Sequence, residues 1–443
     1  MKNPSRWLAA AVILGVVAAC TQATATPSPS ASTAPSTAPS ADNRRVELTF
    51  MGWSLTGDIL AAYEEFAAAF PEQEPRVTKV VVQTEPFVRY HDVLNVRIAA
   101  GKPPDVAHIF FALAPAYVDS SRLLDLKPYL ESLPDYKFAD LNPAAMVPYV
   151  KGEAVYGIPF TNATNVMYYN VDIFEKAGLK TPDEMVADGT WTWENVKAAA
   201  KQIVDSGAAR YGFLFGNALY TNGWRIMEDI WAPYGALPWT ADGKSCRFNS
   251  PEAVAATQLV HDMIFKDKSH PEPGVDTDFF AGDVGMALYR PSQAYRAKDA
   301  PYRWGVAPQP SGPLGYVPTA ASNGISVFKD SPNADLAAEF LAFTTNVENS
   351  KRMSRNFPSA RLSLQTAAVL KAYNPDLSLE DIETTIVAAI TAPNASWGYS
   401  HPNWGSVFAN SQRVFDGQMW KADADVKAVL DTVCSDIAGL LGV

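Results

Sequence analysis

VYGIPFTNATNVMYYNVDIFEKAGLKTP, residues 155–182, decides how the rest of this chain is read. Gly157-Ile158-Pro159 closes a short apolar strand, because Pro159 has no N–H to give to a ladder. Phe160-Thr161-Asn162-Ala163-Thr164-Asn165 then offers four small hydrogen-bonding side chains beside one aromatic ring. Val166-Met167-Tyr168-Tyr169 is β-branched and aromatic and reads as a second strand. Asn170-Val171-Asp172 opens a helix that Gly178 ends as a left-handed residue, with Pro182 as a stop beyond it. A polar, aromatic-tipped crossing between two strands is where a ligand is expected to sit.

Upstream of this crossing the chain alternates strand and helix. Residues 46–51 alternate in polarity as a strand does, and Gly52-Trp53-Ser54 stands at its carboxyl end. Ile59, Leu60, Tyr63, Phe66 and Phe70 mark a helix by their spacing of three and four. Residues 77–82 form a second strand, 90–100 a second helix and 105–111 a third strand. This succession predicts a parallel sheet covered on both faces, with ligands beyond the carboxyl ends of its strands. Trp53, Glu85 and the pair Phe110-Phe111 are therefore expected to face one crevice. Downstream, Thr192 caps a helix whose buried stripe is Trp193, Val196, Ala200 and Ile203. A strand at 212–215 is followed by Asn222-Gly223-Trp224, and one at 279–288 by Tyr289-Arg290.

The N-terminus reads as a leader. Lys2 and Arg6 precede an apolar run at 7–19, the length of a secretion signal and short of the ~20 residues that span a membrane. Val17-Ala18-Ala19-Cys20 resembles the lipobox of bacterial lipoproteins, which implies lipidation at Cys20 after removal of residues 1–19. Residues 20–44 are dominated by Thr, Ala, Pro and Ser, a composition that builds no core and reads as a solvated tether. A tether between an anchor and a folded body places that body at a membrane surface.

The remainder, roughly 400 residues, is too long for one compact core and suffices for two lobes. A net charge of −11 argues against nucleic acid or an anionic membrane surface as partner. Only Cys246 and Cys434 remain beyond Cys20; either they pair in an oxidising compartment, or Cys434 is a buried free thiol.

The crossing at 155–182 resembles the corresponding segment of the family 1 extracellular solute-binding proteins, the maltose-binding-protein-like receptors of bacterial ABC sugar importers. Further blocks follow in the family's order: AAGKPPDV at 99–106, LLDLKPYL at 123–130, FFAGDVGMAL at 279–288, a second crossing at 304–310 and a third at 357–361. The resemblance implies a type II two-lobe α/β fold, each lobe a mostly parallel sheet with helices on both faces. It places 45–163 with 309–360 in the first lobe and 164–308 with 361–443 in the second. It further implies a lipid-anchored monomer on the outer face of the cytoplasmic membrane, which closes on a carbohydrate and hands it to permease subunits. No cofactor, metal or nucleic acid belongs to that picture, and no catalysis.

A pyranose stacks its C–H face on aromatic rings and pairs its hydroxyls with carboxylates, amides and Arg. The strand ends and crossings that match the family's positions supply such groups. Trp53, Phe110, Phe111, Trp224, Tyr289 and Trp404 are expected as platforms, and Glu85, Thr161, Asn162, Asn222, Arg290 and Asn323 as polar partners. Arg361 is expected either to touch ligand or to hold a hinge salt bridge. Enzymatic motifs are lacking: there is no G-x-S-x-G, and Gly243-Lys244-Ser245 mimics the end of a P-loop but has Pro238 where the first glycine belongs. Two carboxylates brought together by folding leave no local motif, so a lipid-anchored polysaccharide-degrading enzyme remains an alternative. A binding protein for another small solute is a further alternative.

Overall fold

The computed structural model describes residues 44–216, 219–220, 223–354 and 357–442. The signal segment, Cys20, the tether up to residue 43, and Asn222 lie outside them. β1 (Val46–Trp53) and β2 (Val77–Glu85) pair in parallel from Val46 opposite Val77 to Trp53 opposite Glu85. β3 (Val106–Ile109) lies on the other side of β1, also parallel. A small hairpin of β4 (Val150–Lys151) and β5 (Ala154–Val155) leads to β6 (Ile158–Thr164) and β7 (Val166–Asn170). β8 (Tyr211–Leu214), β9 (Val284–Tyr289), β10 (Trp304–Ala307) and β11 (Ala320–Val327) complete the set.

These strands form two main sheets, ordered β2-β1-β3-β11-β6 and β10-β7-β9-β8. The chain passes from the first sheet to the second through Asn165, which alone separates β6 from β7. It returns through residues 308–319 to β11. Helices such as Gly57–Gln73 and Ala334–Thr345 bury Phe50, Tyr63, Phe66, Phe70 and Phe340 in the first core. Helices Trp193–Asp205, Pro251–Phe265 and Trp404–Gln418 bury Trp193, Phe213, Trp231, Phe248 and Phe415 in the second.

The sheets are less parallel than the alternation of elements predicts. Parallel pairing holds for β1 with β2 and β3, and for β8 with β9. β11 runs antiparallel to β3 and β6, and β7 antiparallel to β9 and β10. Strand–helix–strand units within a sheet return parallel, whereas β6, β7, β10 and β11 flank the crossings and enter against that direction.

The deciding stretch also departs from its reading in detail. Pro159 does not end a strand but is the second residue of β6, an edge strand whose open side needs no donor. The register against β11 shifts between Asn323 and Gly324, next to the proline's partner. Asn170 caps the helix Val171–Lys176 by accepting the Ile173 N–H at 3.1 Å, and Gly178 has φ +67°. Pro182 is a start rather than a stop: it is the first residue of helix Pro182–Ala187, which Thr181 and Glu184 open with a capping box. Cys246 and Cys434 are disulfide-bonded, their Cα atoms 5.4 Å apart, which decides between the two alternatives.

Candidate functional site

Three rings stand at the carboxyl ends of β1, β2 and β3. Trp53 ends β1, Phe87 follows β2 by two residues, and Phe110 follows β3 directly. Trp53 and Phe87 meet edge to face at 5.7 Å, and Phe87 and Phe110 at 5.3 Å. Phe87 is 41% exposed and Trp53 half-buried, so this wall keeps an open side. Behind it the packing is dense. Trp53 lies 4.8 Å from the His108 ring and 5.3 Å from Tyr90, and His108 stacks on Phe160 at 4.3 Å. Tyr90 donates to the Met51 and His108 carbonyls at 2.8 and 3.0 Å, which locks the ends of β1 and β3 together.

Two histidines lie in this layer. Burial drives His108 down to about 3 and His91 to about 4, so both imidazoles are neutral at physiological pH. His91 shares a hydrogen bond with Tyr117 at 3.1 Å through Nδ1, while its buried Nε2 has no protein partner.

The second half of the chain supplies charge. The turn Gly223–Met227 leads into helix Glu228–Tyr234, and Arg225 in that turn sits over the Phe110 ring, 5.2 Å from its centre. Its buried Nε has no hydrogen-bond partner, and burial lowers the guanidinium pKa. Glu228 also has one buried oxygen without a partner, and burial pushes its carboxyl up to about 7. Asp229, next along, is raised by burial as well but is fully engaged. It accepts from the Asn165 amide at 2.7 Å and from the Thr319 hydroxyl. Gln309 completes this knot, donating to Thr164 Oγ1 at 3.0 Å and to the Asn165 carbonyl at 3.1 Å, and accepting the Thr319 N–H at 2.9 Å. Both crossings and the head of a second-core helix are thus tied at one point, beside the aromatic wall.

Of the residues expected from the sequence, Trp53 and Phe110 are in this wall. Glu85 is at its edge, 3.3 Å from Arg89. Phe111 is 3% exposed and turns into the second core. Thr161 pairs with Asn323 across β6 and β11; Thr161 is buried and Asn323 half-buried, with its carboxamide oxygen lacking a partner. Asn162 is wholly buried with neither carboxamide atom paired, although its backbone N–H donates to Pro358 at 2.7 Å. Tyr289 is half-buried, stacked on Phe280 at 5.5 Å with its hydroxyl 3.4 Å from Asp278, so it joins a different ring cluster from the wall. Arg290 is exposed at the end of β9, and its charge is felt by Glu228 and Asp229.

Two expectations are corrected, and a third is narrowed. Trp224 is a core residue: none of it is exposed, its N–H donates to Ser411 at 2.9 Å, and Trp231, Trp239, Phe248, Tyr399, Trp404 and Phe408 surround it. Trp404 belongs to the same packing, stacked on Phe408 at 5.2 Å. Of the two roles expected for Arg361, the salt bridge is the one present: it is 1% exposed, 3.4 Å from Asp140, donates to the Thr345 carbonyl at 2.8 Å and lies 4.7 Å above Tyr136. It braces the first core through Thr345 and Tyr136.

The residues missed are Phe87, His91, Arg225, Glu228 and Asp229. A signal for the last three was present. Trp224-Arg225-Ile226-Met227-Glu228-Asp229-Ile230-Trp231 carries three charges inside an apolar run, and charges in such a place must be paired or used. Among the described residues no three His, Cys, Asp or Glu side chains gather in a metal-holding group, and no helix is long and apolar enough to cross a membrane.

Comparison with known proteins agrees with this architecture. Residues 53–351 match the family described as bacterial extracellular solute-binding protein. The chain is 30% identical over 319 residues to a putative binding protein of Brucella abortus (strain 2308), spanning 69% of this chain and 73% of that one. It is 26% identical over 323 residues to the arabinooligosaccharide-binding protein of Bacillus subtilis (strain 168), spanning 69% and 70%. An ABC substrate-binding protein from Listeria monocytogenes, solved in complex with cycloalternan, superposes with a TM-score of 0.72 at 23% identity, over 89% of this chain and 99% of that one. The chain belongs to the bacterial extracellular solute-binding proteins. Its fold is the two-lobed α/β fold of the type II binding proteins.

Proposed function

We propose that this protein is a lipid-anchored receptor that captures a carbohydrate between its two lobes and delivers it to the permease of an ABC importer. The observation that carries the reading is the aromatic wall of Trp53, Phe87 and Phe110 standing beside buried polar atoms that no protein group satisfies, on Arg225, Glu228 and His91. Rings take the apolar face of a sugar, and hydroxyls both donate to and accept from such atoms. The relatives named for arabinooligosaccharide and cycloalternan bring carbohydrate to the fore as ligand class. The lobes that close are taken as 45–163 with 309–360 and 164–308 with 361–443, with the Asn165–Asp229–Thr319 knot at the hinge between them.

The direct test is calorimetry of the purified protein against mono- and oligosaccharides, with chromatography of the sugar afterwards. A sugar that binds and is recovered intact supports the receptor; cleavage would point to a degrading enzyme instead. Anchoring through Cys20 is tested separately: Cys20→Ala should move the protein from the membrane fraction into the medium, and a variant that stays membrane-bound would sink the anchor.

A further inference from the structure

The charges gathered around the wall do not balance. Arg225, in the turn ahead of helix Glu228–Tyr234, lies over Phe110, and Arg290, exposed at the end of β9, is near enough for its charge to be felt at Arg225, Glu228 and Asp229. Among the described residues neither forms an ion pair, whereas Arg76, Arg296, Arg303 and Arg361 each do. Among the described residues the guanidinium of Arg225 makes no hydrogen bond; it rests on the face of Phe110, with Glu228 as a nearby attractive charge. Arg290 also repels it. Two carboxyls are near enough to matter, and neither completes the balance. Both oxygens of Asp229 are taken, one by Asn165 and the other by Thr319. Glu228 is held by burial at about 7, so at neutral pH it is near half protonated. A half-buried guanidinium with a buried, unpaired Nε is costly unless something arrives to pair with it.

We infer that the ligand of this cleft is an acidic saccharide or polyol, whose carboxylate or phosphate is received between Arg225 and Arg290 while its carbon body rests on Phe110, Phe87 and Trp53. This rests on the carbohydrate reading above and narrows it. Arginine suits the task, because its planar fork matches both carboxylate and phosphate oxygens. The chain as a whole carries −11, so an anion is otherwise repelled, and a local positive pair is what admits it.

The test is calorimetry on the full chain held in detergent, with matched probes. Digalacturonate is set against the neutral galactose disaccharide of the same linkage, and glucose 6-phosphate against glucose; the two pairs distinguish carboxylate from phosphate. One acidic probe should bind roughly tenfold or more tighter than its neutral match, with the advantage shrinking as salt rises. Arg290→Gln, at an exposed position where the fold is not at stake, should erase that advantage while leaving the melting temperature of the ligand-free protein unchanged. Arg225→Gln should do the same to affinity. Equal affinity for the acidic and neutral members, or a preference that survives Arg290→Gln, overturns the anion site and leaves the carbohydrate receptor standing. No binding of any saccharide, charged or neutral, overturns both.

Discussion

The ring cluster around Trp224 and the wall of Trp53, Phe87 and Phe110 are built from the same residue types, and they do opposite things. Around Trp224 every ring is covered by another ring, and the indole N–H is satisfied by Ser411 at 2.9 Å. In the wall Phe87 is 41% exposed, and the neighbouring polar atoms of Arg225 and Glu228 are left open. Aromatic content therefore does not mark a ligand platform. An uncovered face next to an unsatisfied polar group does.

The sharpest break of that contrast is Trp224→Ala. Emptying so large a volume from the second core should cost about 3–5 kcal/mol of stability, read from urea unfolding. A variant that stayed as stable and instead lost sugar binding would move Trp224 into the wall. Second in size is Cys434→Ser. Cys246 and Cys434 pack against the same core and close a loop with a sequence separation of 188, so losing the bond should cost roughly 2–4 kcal/mol. Unfolding midpoints with and without reductant should differ for the native chain and coincide for the variant.

Glu228 supplies the third. Its carboxyl is raised in the folded state from 4.5 to about 7, so the folded protein holds the proton more tightly than the unfolded chain. That contribution is fully present below about 4.5 and lost as pH climbs through about 7, a fall of up to about 3 kcal/mol. Glu228→Gln should flatten this slope, and an unchanged slope would place the proton elsewhere. The smallest effect is on the wall itself. Phe87→Ala should weaken the bound sugar about tenfold, near 1.4 kcal/mol, with little change in melting temperature. Unaltered affinity would take Phe87 out of the site.

The fold was readable because its signals are local. Asn170 and Thr192 cap the helices expected of them, and the strand ends that carry Trp53 and Phe110 point where a strand–helix–strand succession says they should. Of the candidate site, the sequence points to the first-sheet half alone. Trp224 follows a strand and a glycine in much the same way as Trp53, and its burial depends on Trp404 and Ser411, about 180 residues away, which periodicity does not report. Phe87 stands two residues beyond Glu85 at the same strand end, outside the periodic pattern that marks the strand itself. Arg361 looked like a candidate because it is charged and lies in a crossing block, yet what decides its role is the Thr345 carbonyl and Asp140.

The disulfide has a bearing on the order in which the molecule is made. The last strand of the first sheet ends at Val327, well before Cys434 emerges in the helix Val426–Ile437. The first sheet can therefore be complete while Cys246 still waits for its partner at the far end of the chain. With only three cysteines in the sequence, a wrong pairing during that wait can involve Cys20 alone. Once acylation takes the Cys20 sulfur, as proposed, the two remaining thiols have no choice of partner within the chain. Anchoring the front of the protein would then safeguard the stitching of its back.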